Sequence, residues 1–391
     1  MSEPTLYNRS LVFAGACAGM FLFGIVMISL GSLLPALTGK FALDPVAAGS
    51  LATLLPFGIL AGSLVFGPVV DRYGYRALLA TCMVLIALGL AGIALARAYF
   101  VLQCSIGLIG FGGGVLNGAT NALVSDISAD GRGARLSLLG VFFGLGALGM
   151  PAVLGLLSGS FSHESILLGI GTLVFLVSVG TWAIRFPAPK QTQGFPLARG
   201  AALATDARLL ILGLVLFFES GMEGMQNTWT TTYLQQQMGS PPEQALFALS
   251  CMVLGLTAAR LLLGWLLKRI SMWRALALSI GCILAGEILL SAAASTGPAI
   301  AGLVLVGVGF AAVFPVILGA VGDRYAALSG TAFSIALTLA LVGNMILNYL
   351  VGAVSQAYGI RIFPFIMLAA LALMALLVLA ARRKLAGAPV Q

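Results

Sequence analysis

Twelve apolar runs follow one another from Leu11 to Ala381, with only short polar breaks between them. A bilayer core of ~30 Å needs about 20 helical residues to cross it, and most of these runs reach that length. Inside hydrocarbon, each backbone N–H and C=O must be bonded within its own segment, so runs of this kind fold as helices. The spans are predicted at 11–37, 47–69, 77–96, 99–125, 135–159, 164–185, 207–237, 243–267, 274–294, 297–322, 329–354 and 360–381. Charged residues make up 8% of the chain, against about 25% in soluble domains. The predicted class is an all-α membrane protein.

The charge pattern then orients the chain. The net charge of +8 is carried by loops between apolar runs, so it does not point to nucleic acid. An even number of spans puts both termini on one side. With the termini inside, sixteen loop Lys and Arg fall inside, among them Arg9, Arg72, Arg76, Arg185, Arg208 and Arg382. Only Lys40, Arg97 and Arg361 fall outside. The positive-inside rule therefore predicts a multi-pass protein of the cell membrane with cytoplasmic termini. The first run is long enough to span and is not followed by a cleavage pattern, so it is expected to stay as a helix.

The one long polar stretch, 188–206, divides the spans six and six. The expected domains are 1–187, a linker at 188–206 and 207–391. Sliding the second half onto the first by 197 positions superposes nine glycine pairs without gaps. They are Gly24/Gly221, Gly58/Gly255, Gly67/Gly264, Gly89/Gly286, Gly110/Gly307, Gly112/Gly309, Gly133/Gly330, Gly146/Gly343 and Gly155/Gly352. Chance predicts roughly three at this glycine content, so the chain contains an internal repeat. Two six-helix repeats around a midplane site are the architecture of alternating-access carriers. The glycines themselves are expected to be points of close helix packing.

Within the seventh span, Phe217–Tyr233 reads FFESGMEGMQNTWTTTY. Glu219 and Glu223 are four residues apart and share a helix face, which Gln226, Asn227, Thr230 and Tyr233 extend. Glu219 falls near mid-membrane, where a carboxylate facing lipid costs at least ~2.5 kcal/mol. The stripe is therefore expected to line a substrate path. Pairing with neighbouring helices is the alternative. Asn117 and Asn121 share a face of the fourth span, and Asn344 and Asn348 share one of the eleventh. Together these amides supply donors and acceptors suited to hydroxyls. Arg260 is the one Lys or Arg inside a span and is the expected counter-charge for a seventh-span acid.

Other patterns carry little. Gly144-Leu-Gly-Ala-Leu-Gly149 fits G-x-G-x-x-G, but it lies within a span with no strand before it. His163 is the single histidine and sits in a short loop. The five cysteines lie in apolar runs, with no metal-ligand spacing. No nucleophile–base pair appears, so no enzyme activity, cofactor or metal is expected.

Gly67-Pro-Val-Val-Asp71-Arg72-Tyr-Gly74-Tyr-Arg76, after the second span, resembles the G-x-x-x-D-R-x-G-R-[KR] signature of the major facilitator superfamily, with Tyr75 departing at one basic position. Gly264-Trp-Leu-Leu-Lys268-Arg269 is its weaker counterpart in the second half. The resemblance implies the major facilitator fold, two pseudo-symmetric six-helix bundles, with Asp71, Arg72 and Arg76 bracing the gate on the cytoplasmic side. A narrower resemblance is to fucose–galactose–glucose symporters and sodium-dependent glucose transporters. It rests on Gly221-Met-Glu223 with Trp229 and Tyr233, on Leu116-Asn117-Gly-Ala-Thr-Asn121, on Ala259-Arg260, and on Phe314-Pro315 with Ser329-Gly330-Thr-Ala-Phe-Ser334.

That resemblance implies a secondary transporter for a hexose-like sugar, with cation-coupled uptake and a substrate-binding set of Glu223, Gln226, Asn227, Trp229, Tyr233, Asn117, Asn121, Asn344, Asn348 and Phe314. The chain departs from those relatives at Gly31 and Asn117, where the proton-coupled members carry acids. Glu219 stands where they carry an aromatic residue. Coupling to H+ or Na+ is accordingly expected at Glu219 and Glu223. Glu287 lies on the ninth helix, which the superfamily fold places at the periphery, and is expected to be uninvolved. The alternatives are a drug or metabolite efflux antiporter of the same superfamily and a sugar uniporter. Partners are expected to be a small-molecule substrate and lipid, with the protein a monomer.

The topology is testable. Cysteines introduced into 188–205, or after Arg382, should react in intact cells only with membrane-permeant reagents. Labelling of both by an impermeant maleimide would reverse the orientation.

Overall fold

The structure is a computed structural model. It describes residues 7–127, 132–187, 203, 205–267, 269–325 and 329–386. The linker expected at 188–206 lies almost wholly outside the described residues. Among the described residues, twelve helices are long and apolar enough to cross a membrane, as the apolar runs require. They are α1 Arg9–Phe41, α2 Pro45–Tyr73, α3 Tyr75–Leu95, α4 Tyr99–Ile127, α5 Arg132–Leu157 and α6 His163–Ala183. The second half holds α7 Ala207–Met238, α8 Pro242–Leu266, α9 Met272–Ala292, α10 Thr296–Arg324, α11 Ser329–Tyr358 and α12 Phe363–Ala386.

Short polar residues begin several of these helices by accepting bonds from free first-turn amides. Asn8 accepts from Ser10 N at 3.0 Å, Asp44 from Ala47 N at 2.7 Å and Asp206 from Arg208 N at 2.7 Å. Reversals use glycine where a left-handed residue is needed. Gly74, within the signature between α2 and α3, has φ 76°, which a side chain would strain. Its amide donates to Val70 O at 2.8 Å.

Packing forms two compact units. One takes in Met1–Ser32 and Leu54–Gln193, the other Leu33–Thr53 and Gly194–Gln391, as far as those ranges are described. Within each unit, helices meet where glycine removes the side chain that would hold them apart. This is how membrane helices gain van der Waals contact without a hydrophobic drive between them.

The contacts repeat at the spacing read from the sequence. A Cβ on Gly110 of α4 would strike Leu55 O of α2, and one on Gly307 of α10 would strike Met252 O of α8, each residue 197 beyond its counterpart. Gly112 meets Ile86 and Cys82 O of α3, and Gly309 meets Ile283 and Ser279 O of α9, again 197 apart at all three positions. Gly89 meets Ile109 and Ser105 O, and Gly286 meets Val306 and Gly302 O, in the same register. The repeat is thus a repeat of helix–helix contacts. Gly24 and Gly146 bring α1 onto α5, as Gly221 and Gly343 bring α7 onto α11, with the last pair of contacts slipped by one residue or more.

The second unit also contains the end of α1 and the start of α2, residues 33–53. They lie on α11, where Gly49 meets Gly352 and Thr53 Oγ1 donates to Met345 O at 3.1 Å.

Gly343 offers a direct test. An alanine Cβ there would collide with backbone atoms of Phe217, whereas Gly281 on α9 has nothing within 4 Å of the same position. Gly343→Ala should destabilise the detergent-solubilised protein by about 1–3 kcal/mol. Gly281→Ala should leave it unchanged or slightly steadier, since alanine favours helix by roughly 0.5–1 kcal/mol. Thermal unfolding of the two variants decides it. Equal melting temperatures would refute the close-packing role.

Candidate functional site

At 100° per residue, α7 has two distinct faces. Gly213, Phe217, Gly221 and Gly224 form one, and it packs on α11. Gly213 meets Leu339, Gly221 meets Leu347 and Gly224 meets the Asn344 amide. About 140° round the helix from that face run Glu219, Glu223, Gln226 and Thr230, with Tyr233 continuing the line. The glycines give α7 its grip on α11.

The second face is polar and mostly covered. Glu219, Gln226 and Thr230 have no exposed area, and Asn227, Trp229 and Tyr233 are nearly as buried. Both Glu219 carboxyl oxygens, both Gln226 amide atoms, Trp229 Nε1 and the Thr230 hydroxyl have no hydrogen-bond partner among the described residues. A buried polar group without a partner costs about 1–3 kcal/mol. Four such side chains within twelve residues of one helix are not how a purely structural helix is built.

Glu223 has a partner. Its Oε2 lies 3.7 Å from Arg260 Nη2 of α8, with both side chains still partly exposed. This is the counter-charge expected from the sequence. It compensates Glu223, while Glu219 one turn away has no hydrogen-bond partner among the described residues.

The asparagines form ladders. On α11, Asn348 Nδ2 donates to Asn344 O at 2.9 Å and to Asn344 Oδ1 at 2.8 Å, while Asn344 Nδ2 donates to Ser220 O of α7 at 3.0 Å. Gly224 makes room for Asn344, since any Cβ there would overlap its amide. Asn348 Oδ1 is left buried and without a partner. The two residues therefore tie α11 to α7 as well as offering an acceptor. In the first unit, Asn121 Nδ2 donates to Asn117 O at 2.8 Å and Asn117 Oδ1 at 3.1 Å, and both stay half-buried.

Several expected roles look different in three dimensions. Trp229 is among the largest fully buried side chains, so its ring is covered in this conformation. Tyr233 packs its ring on Phe363 of α12 at 5.7 Å. Phe314 on α10 is half-buried. Arg76, expected at the gate, sits over the Trp182 ring of α6 at 5.3 Å, and Arg269 of the second-half motif sits over Trp265 at 4.1 Å. The side chains of Asp71 and Arg72 lie outside the described residues.

Sequence reasoning missed one group. Glu287 of α9 was expected to be uninvolved because the superfamily fold places its helix at the periphery, and its burial was not foreseen. Its outer neighbours Leu284 and Ile288 are indeed exposed, but Glu287 itself has no exposed area, and neither oxygen has a partner among the described residues. Gly286 beside it was the available signal. It matches Gly89 in the repeat and marks the face of α9 that packs inward on α10.

The ion pair yields a prediction. Glu223→Gln removes the charge that faces Arg260 and keeps the side-chain shape. Bonds to charged groups are worth about 1.5–3 kcal/mol, so ligand affinity should fall roughly tenfold or more while thermal stability changes little. Asn227→Ala and Trp229→Ala should also weaken binding. Unaltered transport kinetics in Glu223→Gln would remove this residue from the site.

Comparison with known proteins agrees with this architecture. The chain is 23% identical to the glucose/mannose transporter GlcP of Bacillus subtilis (strain 168) over 345 residues, 86% of each chain. It is 26% identical to the 3-(3-hydroxy-phenyl)propionate transporter of Escherichia coli (strain K12) over 270 residues, 67% of this chain and 66% of that one. Its fold matches a crystal structure of the nucleoside transporter NupG with a TM-score of 0.76 at 16% identity, covering 96% and 98% of the two chains. A bacterial homologue of the lysosomal transporter Spinster matches with a TM-score of 0.78 at 14% identity, covering 98% of both. The profile described as Major Facilitator Superfamily matches residues 16–339. With twelve membrane-spanning helices and this match over most of its length, the chain belongs to the major facilitator superfamily of transporters.

Proposed function

We propose that this transporter carries a hexose-like sugar across the cell membrane by alternating access, with uptake coupled to a cation. The carrying observation is the α7 face. It combines buried amide and hydroxyl groups that lack protein partners with an adjacent tryptophan and one internally compensated charge. Such a set suits a neutral, polyhydroxylated ligand. Each sugar hydroxyl both donates and accepts, as Gln226 and the asparagines do. The likeness to a glucose/mannose transporter supports the same reading.

Coupling is assigned to the Glu219/Glu223 pair. Two carboxylates one turn apart repel when both are charged, and Arg260 makes its ion pair with Glu223. A proton or sodium ion would relieve the other. Glu219 is accordingly the ion-responsive member and Glu223 the shared one. Orientation with both termini in the cytoplasm, gating through Asp71, Arg72 and Arg76, and a monomeric state belong to the same proposal. A metabolite or drug antiporter is the second reading, favoured by one observation. A fully buried acid without a protein partner also suits a cationic cargo.

Proteoliposomes separate these readings. A panel of radiolabelled hexoses should show counterflow, and an imposed proton or sodium gradient should drive accumulation. Glu219→Gln should keep counterflow and lose about tenfold or more of the gradient-driven accumulation, a coupling of ordinary size. Counterflow without accumulation in the unmodified protein would make it a uniporter. Accumulation undiminished in Glu219→Gln would take coupling away from this residue.

A further inference from the structure

Glu287 stands apart from the α7 stripe. It lies on α9, between Gly286 and the apolar residues that follow, at the point where α9 comes closest to α10. A Cβ on Gly286 would meet Gly302 O at 2.6 Å and Val306 at 2.7 Å, and a Cβ on Gly302 would meet Gly286 O at 2.7 Å. The helices touch backbone to backbone here, and Glu287 has no exposed area beside this contact. Neither of its oxygens has a hydrogen-bond partner among the described residues.

The groups around it offer no counter-charge. On α9 itself, Arg274 is thirteen residues away, about 20 Å along the helix. On α10, Asp323 and Arg324 lie at the far end, roughly 30 Å beyond Gly302. On α12, Arg382, Arg383 and Lys384 are exposed at the distal end. Arg361, just before α12, turns its Nε to Tyr358 O at 3.2 Å. From α7, Tyr233 comes within electrostatic reach of Glu287. A bare carboxylate in such a setting is far more costly than a neutral acid. A glutamine or leucine would fill the same space without that cost, so an acid here calls for a function.

We propose that Glu287 is a proton-binding site of the transporter, separate from the Glu219/Glu223 pair and linked to the α7 stripe through Tyr233. The step is the transfer of one proton from water to a carboxylate oxygen, with no other bond made or broken. Because the site is covered, exchange requires the packing of α9 against α10 and α12 to open, which a carrier does as it changes facing. Tyr233 is placed to convey the change. Its ring rests on Phe363, and its position continues the face of Gln226 and Thr230. The proposal concerns proton binding and stands whether or not the cargo is a sugar.

Infrared difference spectroscopy of the purified protein tests it without any substrate. The unmodified protein should show C=O bands of buried protonated carboxyls that disappear as pH rises, and Glu287→Gln should lack one of them. Should Glu287→Gln fail to fold, the double variant Glu219→Gln/Glu223→Gln serves instead. It leaves Glu3, Glu164 and Glu243 as the remaining glutamates besides Glu287, with Glu243 exposed and Glu164 partly so. A buried-acid band should persist there. Tyr233→Phe should retain the band and move the pH at which it is lost. In proteoliposomes, Glu287→Gln should lose roughly tenfold of proton-driven accumulation while counterflow continues. Absence of a band that Glu287→Gln removes, or indifference of that band to pH, would overturn the proposal. Loss of sugar counterflow in the unmodified protein would count against the sugar reading alone.

Discussion

Everything in this protein follows from the absence of water around the backbone of a membrane helix. Helical bonding satisfies the main chain, but it leaves the helices without a hydrophobic reason to associate, since lipid is as apolar as leucine. Contact must come from close fit. The chain supplies it with glycines at which one helix's missing Cβ admits the backbone of the next, as at Gly110 against Leu55 O and Gly307 against Met252 O. These contacts recur in the two halves in one register, so what was duplicated is a way of packing. Sequence identity between the halves is secondary to it.

The same constraint gives the α7 face its meaning. In an environment where each unpartnered polar atom costs about 1–3 kcal/mol, Glu219, Gln226, Trp229 and Thr230 together represent a considerable expense. It is tolerated because α7 is held from its other side. Gly221 and Gly224 bring it onto α11, and Asn344 fastens the two helices through Ser220 O. Glu223 and Arg260 supply a fixed dipole beside that face, with enough exposure left to be reached by water.

Much of this was legible in the sequence, and the reason is periodicity. Spans show as length, the repeat shows as coincident glycines, and the α7 stripe shows because polar residues at helical spacing stand out against apolar ones. The Glu223–Arg260 pair was legible by elimination, Arg260 being the one cation within a span. The facing of α9 was not legible in the same way. Its sequence, MWRALALSIGCILAGEILLSA, is apolar nearly all round, so no pattern distinguishes the lipid side from the packed side. Glu287 was therefore assigned by the general position of its helix, and only side-chain geometry turns it inward. The covering of Trp229 was likewise hidden, because burial of a ring depends on neighbours from other helices.

The two unpartnered acids of the second unit need not do the same work. A bound ion shifts a conformational equilibrium only by the difference in its affinity for the two states. Glu219 sits one turn from the Glu223–Arg260 pair, so under the proposed site its occupancy would be felt directly by ligand. Glu287 sits where α9 and α10 touch backbone to backbone, so its occupancy bears on whether those helices can part. Tyr233, on the ligand-bearing helix yet within electrostatic reach of Glu287, is where the two would exchange influence. A transporter that lacks the first-half acids at Gly31 and Asn117 has in this arrangement the means to keep both functions within its second half.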